Sequence, residues 1–293
     1  MRRFQIMYRS LVMTSSTIET SGLSLLAAAS WGGGDFSGGV ASKRASVFRV
    51  VAGAHFVGLL SMLVMAWLTG EAVPPRADLL WGAFAGITGA FGIAALYQAL
   101  AVGRMGVVAP VASVVTGIFP VLFSIRTEGL PDRVQMLGFA LALISIWLVA
   151  RPDEYVDSHR GLGLAVFAGL MFGLFLVGGK QSGHHGVFWP LVAARTVSTA
   201  MMLAVVAFAP RDPRPLKPAL WAMVFSGLLD SAGNALFIAA TRHGRLDVSA
   251  VLSSLYPAST VILARVLLKE KISPMQGAGV VGALAAVALI SVR

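Results

Sequence analysis

Apolar runs long enough to cross a hydrocarbon core of ~30 Å recur along the whole chain. They fall near 22–42, 47–69, 78–102, 105–125, 134–150, 161–180, 187–209, 219–241, 246–268 and 274–292. Between them stand turn and charge signals such as Pro74-Pro75-Arg76, Gly129-Leu130-Pro131-Asp132, Arg151-Pro152-Asp153-Glu154 and Lys269-Glu270-Lys271. A helix in hydrocarbon could not absorb these cheaply. The runs lack the alternation of barrel strands. The pattern therefore predicts an all-α integral membrane protein of ten transmembrane helices.

A second regularity divides the ten. At a shift of about 140 residues, Gly38-Gly39 returns as Gly178-Gly179, Phe48 as Phe188, and Ala54-His55 as Ala194-Arg195. Trp81 returns as Trp221 and Ala95-Leu96 as Ala235-Leu236. Colinearity across five consecutive runs predicts two five-helix repeats, 22–150 and 161–293, joined by a linker at 151–160 and preceded by an N-terminal segment, 1–21. An odd number of spans per copy makes the second enter the membrane from the opposite face, an inverted repeat of the kind found in alternating-access transporters. The register slips by about one helical turn before the paired prolines Pro120 and Pro257. With Pro110, that slip predicts a kinked or broken fourth span, or else a tolerated insertion.

Composition narrows the class. Hydrophobic residues make up 57% and charged residues only 12% of the chain, too few charges to cover a soluble domain of this length. Cysteine is absent, which removes disulfides, thiolate metal sites and cysteine nucleophiles. The net charge of +10 is spread singly through the loops, so nucleic acid is not an expected partner. The basic start has no continuous apolar stretch of signal-peptide type, so no removable leader is expected. No Gly-Lys-Ser/Thr follows the Gly32-Gly33-Gly34 run, which removes a phosphate loop and leaves the glycines to close helix packing.

The stretches Ser30-Trp31-Gly32, Ala95-Leu96-Tyr97-Gln98-Ala99-Leu100-Ala101, Val251-Leu252-Ser253-Ser254-Leu255-Tyr256-Pro257 and Leu267-Leu268-Lys269-Glu270-Lys271-Ile272 resemble the EamA family of the drug/metabolite transporter superfamily. The resemblance implies a multi-pass plasma-membrane protein of ten helices with both termini cytoplasmic. It also implies a central cavity lined by helices one, three, four, six, eight and nine. Lysine and arginine divide nearly evenly between the two predicted faces, so orientation rests on the resemblance.

A charge at mid-membrane costs at least ~2.5 kcal/mol on insertion scales, so each one needs a reason. Asp35, His55, Arg195, Asp230 and Asn234 lie away from the span ends. Asp230 and Asn234 are one turn apart and share a helix face. Their repeat mates are Ala90 and Ala94, and Asp35 faces Phe175, so these polar residues belong to one copy only. Asp230 is a candidate for binding a cation or carrying a coupling proton, and Asn234 for offering donors and acceptors to a solute. The structural alternatives are an Asp230 partnered by Arg195, an Asp35 reaching Lys43-Arg44, and a shared packing role for His55 and Arg195. Trp31, Tyr97, Gln98, Ser253, Ser254 and Tyr256 complete the candidates for substrate binding or coupling.

The sequence thus predicts a secondary transporter of a small metabolite or amino-acid-like solute, with export the expected direction and proton coupling an option. No cofactor and no metal site are expected. The rival classes are an intramembrane enzyme and a non-transporting membrane partner protein. Four of the five histidines sit in loops and no Gly-x-Ser-x-Gly elbow occurs, which weighs against the enzyme. The oligomeric state is left open.

Overall fold

The computed structural model describes residues 2–102, 105–149, 161–208, 213–259, 263 and 274–291. Its α-helices are α1 (Arg2–Arg44), α2 (Val47–Leu68), α3 (Arg76–Val102), α4 (Met105–Glu128), α5 (Arg133–Val149), α6 (Leu162–Ser182), α7 (Phe188–Phe208), α8 (Leu220–His243), α9 (Leu246–Ser253) and α10 (Pro274–Ser291). No strand occurs among the described residues. Six stretches are long and apolar enough to cross a membrane: Val47–Leu68, Arg76–Ala99, Val111–Glu128, Leu162–Ser182, Phe188–Phe208 and Lys217–His243. Large apolar side chains cover the outside, with Trp67 80%, Trp221 75% and Phe208 91% exposed. Such an apolar exterior suits lipid and not water.

The helices begin and end close to the predicted runs, except that α1 starts earlier and α9 stops at Ser253, short of the run 246–268. α1 is continuous from Arg2, so the 21/22 boundary is not a break in secondary structure. Hydropathy marks where hydrocarbon is tolerated, and a helix can continue past it. The linker 151–160, the turn Gly103-Arg104, Lys269-Glu270-Lys271 and the side chain of Pro110 lie outside the described residues.

Glycine contacts give the direction of packing. Gly178 meets Ala85 and Gly92 meets Phe172, so α3 and α6 run antiparallel; Gly33 meets Leu229 and Gly38 meets Ser226, so α1 and α8 do the same. Gly82 abuts Pro190 and Gly86 abuts Ala194, which makes α3 and α7 parallel; Gly53 abuts Met223 and Gly227 abuts Ala54, which makes α2 and α8 parallel. Consecutive helices reverse at short turns, so α1, α2 and α3 run opposite to their mates α6, α7 and α8. The packing pairs also exchange under the repeat: α1 on α8 mirrors α6 on α3, and α4 on α6 mirrors α9 on α1. α2 with α7, α4 with α9 and α5 with α10 are their own mirror images. The α5–α10 pair packs to one side, joined to α9 through Phe139, Ile146, Leu252, Leu255 and Ile290.

Of the two readings of the fourth span, a break or a tolerated insertion, the backbone shows no break. α4 runs unbroken through Pro110 and Pro120, and the interruption falls in its mate, where α9 ends at Ser253 and helical backbone resumes at 256–259. Pro257 has no N–H for the Ser253 carbonyl and disfavours the helical region at Tyr256. The Ala258 amide turns to Leu255 O at 2.9 Å. The Ser254 carbonyl, released from that amide, accepts a hydrogen bond from Ser113 Oγ of α4 at 2.8 Å. The neighbouring element thus supplies the missing donor, as buried carbonyls require.

Candidate functional site

A cavity of about 740 Å³, its mouth included, lies between the two halves. Its walls differ in chemistry. Trp31 and Asp35 of α1 and Asp230 and Asn234 of α8 form one; Ala85, Gly86, Gly89 and Ala90 of α3 and Phe172, Phe175 and Leu176 of α6 form the other. The two walls are repeat mates. The α1–α8 pair carries the polar groups, and the α6–α3 pair presents apolar side chains in their place. Mates line the same space: Asp35 with Phe175, Asp230 with Ala90, and His55 with Arg195.

Within the polar wall the groups are fixed from several helices. Arg195 of α7, 6% exposed, passes along Gly58 of α2 and donates from Nη2 to Asp230 Oδ2. Gly58 makes room for that crossing, since a Cβ there would lie 3.2 Å from Arg195 Nε. Trp31 Nε1 donates to Asn234 Oδ1 at 2.9 Å, and the Trp31 ring leans on Phe237 at 5.8 Å between centroids. Asp35 stands opposite the start of this pair, on a stretch where Gly34 brings α1 within 3.2 Å (from its would-be Cβ) of the Asp230 amide nitrogen. A smaller space opens behind, shared by Asp35, Asp230, His55, Tyr97 and Ser226. The Tyr97 and Ser226 hydroxyls are hydrogen-bonded to each other there. His55 is 7% exposed and its Nδ1 is buried without a hydrogen-bond partner.

Seven sequence candidates meet at the main cavity: Trp31, Asp35, His55, Arg195, Asp230, Asn234 and Tyr256. Tyr97 reaches only the adjoining space. Gln98 does not reach either; it is exposed, because two residues along a helix turn the side chain by about 200° from the cavity-facing Leu96. Ser253 and Ser254 are buried in helix contacts, Ser253 Oγ donating to Ser24 O at 3.3 Å and Ser254 Oγ to Ala250 O at 2.7 Å. The Arg195 partner for Asp230 is present. The Arg44 link to Asp35 is not, since Arg44 Nη1 donates to Pro218 O at 3.3 Å; the Lys43 side chain lies outside the described residues. Thr116, Ser198, Phe172 and Phe175 also line the cavity and were not among the candidates. Phe175 was legible as the mate of Asp35; the two hydroxyls carry no sequence signal.

The helix ends on the side of the α1 N-terminus are tied together by charge. Lys180 of α6 donates to Thr241 O at 2.7 Å and lies 3.5 Å from Glu128 of α4. Glu128 also accepts from Ser124 Oγ at 2.9 Å and from the Leu246 amide at 3.2 Å. Arg245 Nη1 and Nη2 donate to the carbonyls of Glu128 and Gly129 and Nη2 to Asp247 at 2.7 Å. At the same end a Schellman turn closes α2, with Gly70 at φ 63 and the Glu71 amide bonded to Ala66 O. It delivers the Glu71 carboxylate to the amides of Val187, Phe188 and Trp189 at 2.8, 2.9 and 2.9 Å. An anion at the first turn of α7 suits the helix dipole. Asp78 accepts from the His185 amide beside it at 3.1 Å.

An inverted pair of helical repeats around a two-faced midline cavity is a membrane-transporter architecture. The chain matches the EamA-like transporter family over residues 21–151 and 159–292. It belongs to that family, and so to the drug/metabolite transporter superfamily, as a multi-pass membrane protein. No curated protein matches it in sequence. A solved crystal structure 17% identical superposes with a TM-score of 0.73, covering 92% of this chain and 95% of that one. At that identity the likeness speaks for the fold alone.

Proposed function

We propose that the chain is a ten-span secondary transporter that carries a small metabolite or amino-acid-like solute across the plasma membrane by alternating access. The observation that supports this most is the cavity: both halves line it, and Asp35, Asp230 and Asn234, which the other half does not repeat, share one wall. Rocking one half against the other would open it first at one end and then at the other, as inverted repeats permit. In the conformation described here the terminal end is the tied one. Both termini are taken as cytoplasmic, which makes this an outward-facing or occluded arrangement. Asp35 and Asp230 are the carboxylates able to take up a coupling proton, and export is the direction we assign. Tyr256 and Asn234 would contribute hydrogen bonds to the solute.

Purified protein in liposomes tests the reading. Solute flux without chemical conversion is expected, and Asp230→Asn should reduce it. Turnover without flux would overturn the transporter in favour of an intramembrane enzyme.

A further inference from the structure

The two walls of the cavity ask for a ligand with two ends. Its charges are the carboxylates of Asp35 and Asp230 and the guanidinium of Arg195. Arg195 is committed to Asp230, and the cation at the tied end, Lys180, is held by the Thr241 and Gly244 carbonyls and Glu128. One carboxylate, Asp35, is left without a cation or a hydrogen-bond donor among the described residues. His55 Nδ1 adds a second unsatisfied atom, buried at the junction of the main cavity and the smaller space behind it. A neutral imidazole protonated on Nε2 presents Nδ1 as an acceptor. In that tautomer, with Asp35 accepting only, acceptors outnumber donors among the described residues at this end. At the other end Phe172, Phe175 and Leu176 offer only apolar and aromatic surface.

We propose that the solute is a primary amine on a compact aromatic or branched apolar body, its ammonium bound at Asp35 beside His55 and its body against the α3–α6 wall. This deepens the transporter reading and rests on the cavity being a solute site. An ammonium carries three N–H donors and one positive charge, which meets the acceptor surplus and the missing countercharge together. The Trp31 ring, one turn from Asp35 on α1, adds cation–π attraction. A zwitterionic amino acid of the same shape fits less well, because its carboxylate finds no uncommitted cation and would have to displace Asp230 from Arg195. A neutral alcohol leaves the Asp35 charge unmatched, a buried charge that binding would not relieve.

Equilibrium binding of radiolabelled phenethylamine to the full chain in detergent tests this, with phenethyl alcohol and phenylalanine as competitors. Saturable amine binding is expected, with each competitor weaker by at least about tenfold, the value of a hydrogen bond to a charged group. Asp35→Asn should weaken the amine by a similar factor and Asp35→Glu should retain most of it, at unchanged melting temperature. Should Asp35→Asn fail to fold, the amine-to-alcohol ratio on the native chain decides alone. No saturable amine binding, equal competition by the alcohol, or tighter binding of phenylalanine would overturn the proposal. Binding in detergent and flux in liposomes separate the two readings: amine binding without flux removes the transporter, and flux of a zwitterion without amine binding removes the amine.

Discussion

Arg195 of α7 and Asp230 of α8 form an ion pair whose cationic member is 7% exposed and whose anionic member is 35% exposed along its side chain. The guanidinium is thus buried while the carboxylate faces the cavity. Removing Arg195 leaves an uncompensated carboxylate on the cavity wall and empties the space of a buried side chain behind it. Breaking a fully buried pair costs about 3 kcal/mol, less here because the carboxylate is partly exposed. Arg195→Ala should lower the melting temperature in detergent more than Asp230→Asn does. A double Arg195→Met, Asp230→Met variant should recover part of the loss. Equal melting of Arg195→Ala and the native chain would show the pair contributes nothing.

Close helix approach predicts a matched pair of failures. A methyl group on Gly86 would overlap the Ala194 carbonyl, and one on Gly227 the Ala54 carbonyl. These are repeat-related contacts with rigid backbone, so alanine at either site should sharply reduce the yield of folded protein. Gly39 has nothing within 4 Å of a would-be Cβ and lies inside α1. Gly39→Ala should leave the fold intact and add roughly 0.5–1 kcal/mol from helix propensity. Fluorescence-detected gel filtration after solubilisation compares all three.

The Glu71 carboxylate accepts three amides at the start of α7. Glu71→Ala removes all three charge-assisted bonds and should cost about 2 kcal/mol. Glu71→Gln keeps one amide oxygen and should fall between. A melting temperature of Glu71→Ala equal to that of the native chain would contradict the cap.

The architecture was readable from sequence where one physical signal dominated. Uninterrupted apolar runs located the helices, because hydrocarbon demands them. The central cavity was an implication of the family resemblance; the mates that the shift paired, His55 with Arg195 and Asp35 with Phe175, meet there because duplicated packing brings mates to the same axis. What was not legible depends on contacts between distant segments. Nothing around Glu71 announces that its carboxylate caps a helix 116 residues later. The prolines Pro110 and Pro120 looked equal to Pro257, yet only the last coincides with a break. Gln98 was polar and mid-span but faces outward, since helix phase and not polarity decides what reaches a cavity. Ser253 and Ser254 carried a family motif and turn out to hold α9 against α1 and against its own preceding turn.

The charged ties at the terminal end should restrain opening. Lys180→Met leaves Glu128 without its 3.5 Å ammonium and frees the Thr241 carbonyl. Access to the cavity from the terminal side should then increase several-fold, and Glu128 keeps its bonds to Ser124 Oγ and the Leu246 amide, so the fold should be retained.

The chain has no cysteine, so a single Ser198→Cys on the cavity wall can report which face of the membrane reaches it. The decisive measurement is its rate of modification by a membrane-impermeant thiol reagent in right-side-out and inside-out vesicles. Alternating access predicts reaction from both faces, with the terminal-side rate the slower and raised by Lys180→Met. Reaction from one face only, unaltered by Lys180→Met, would contradict it.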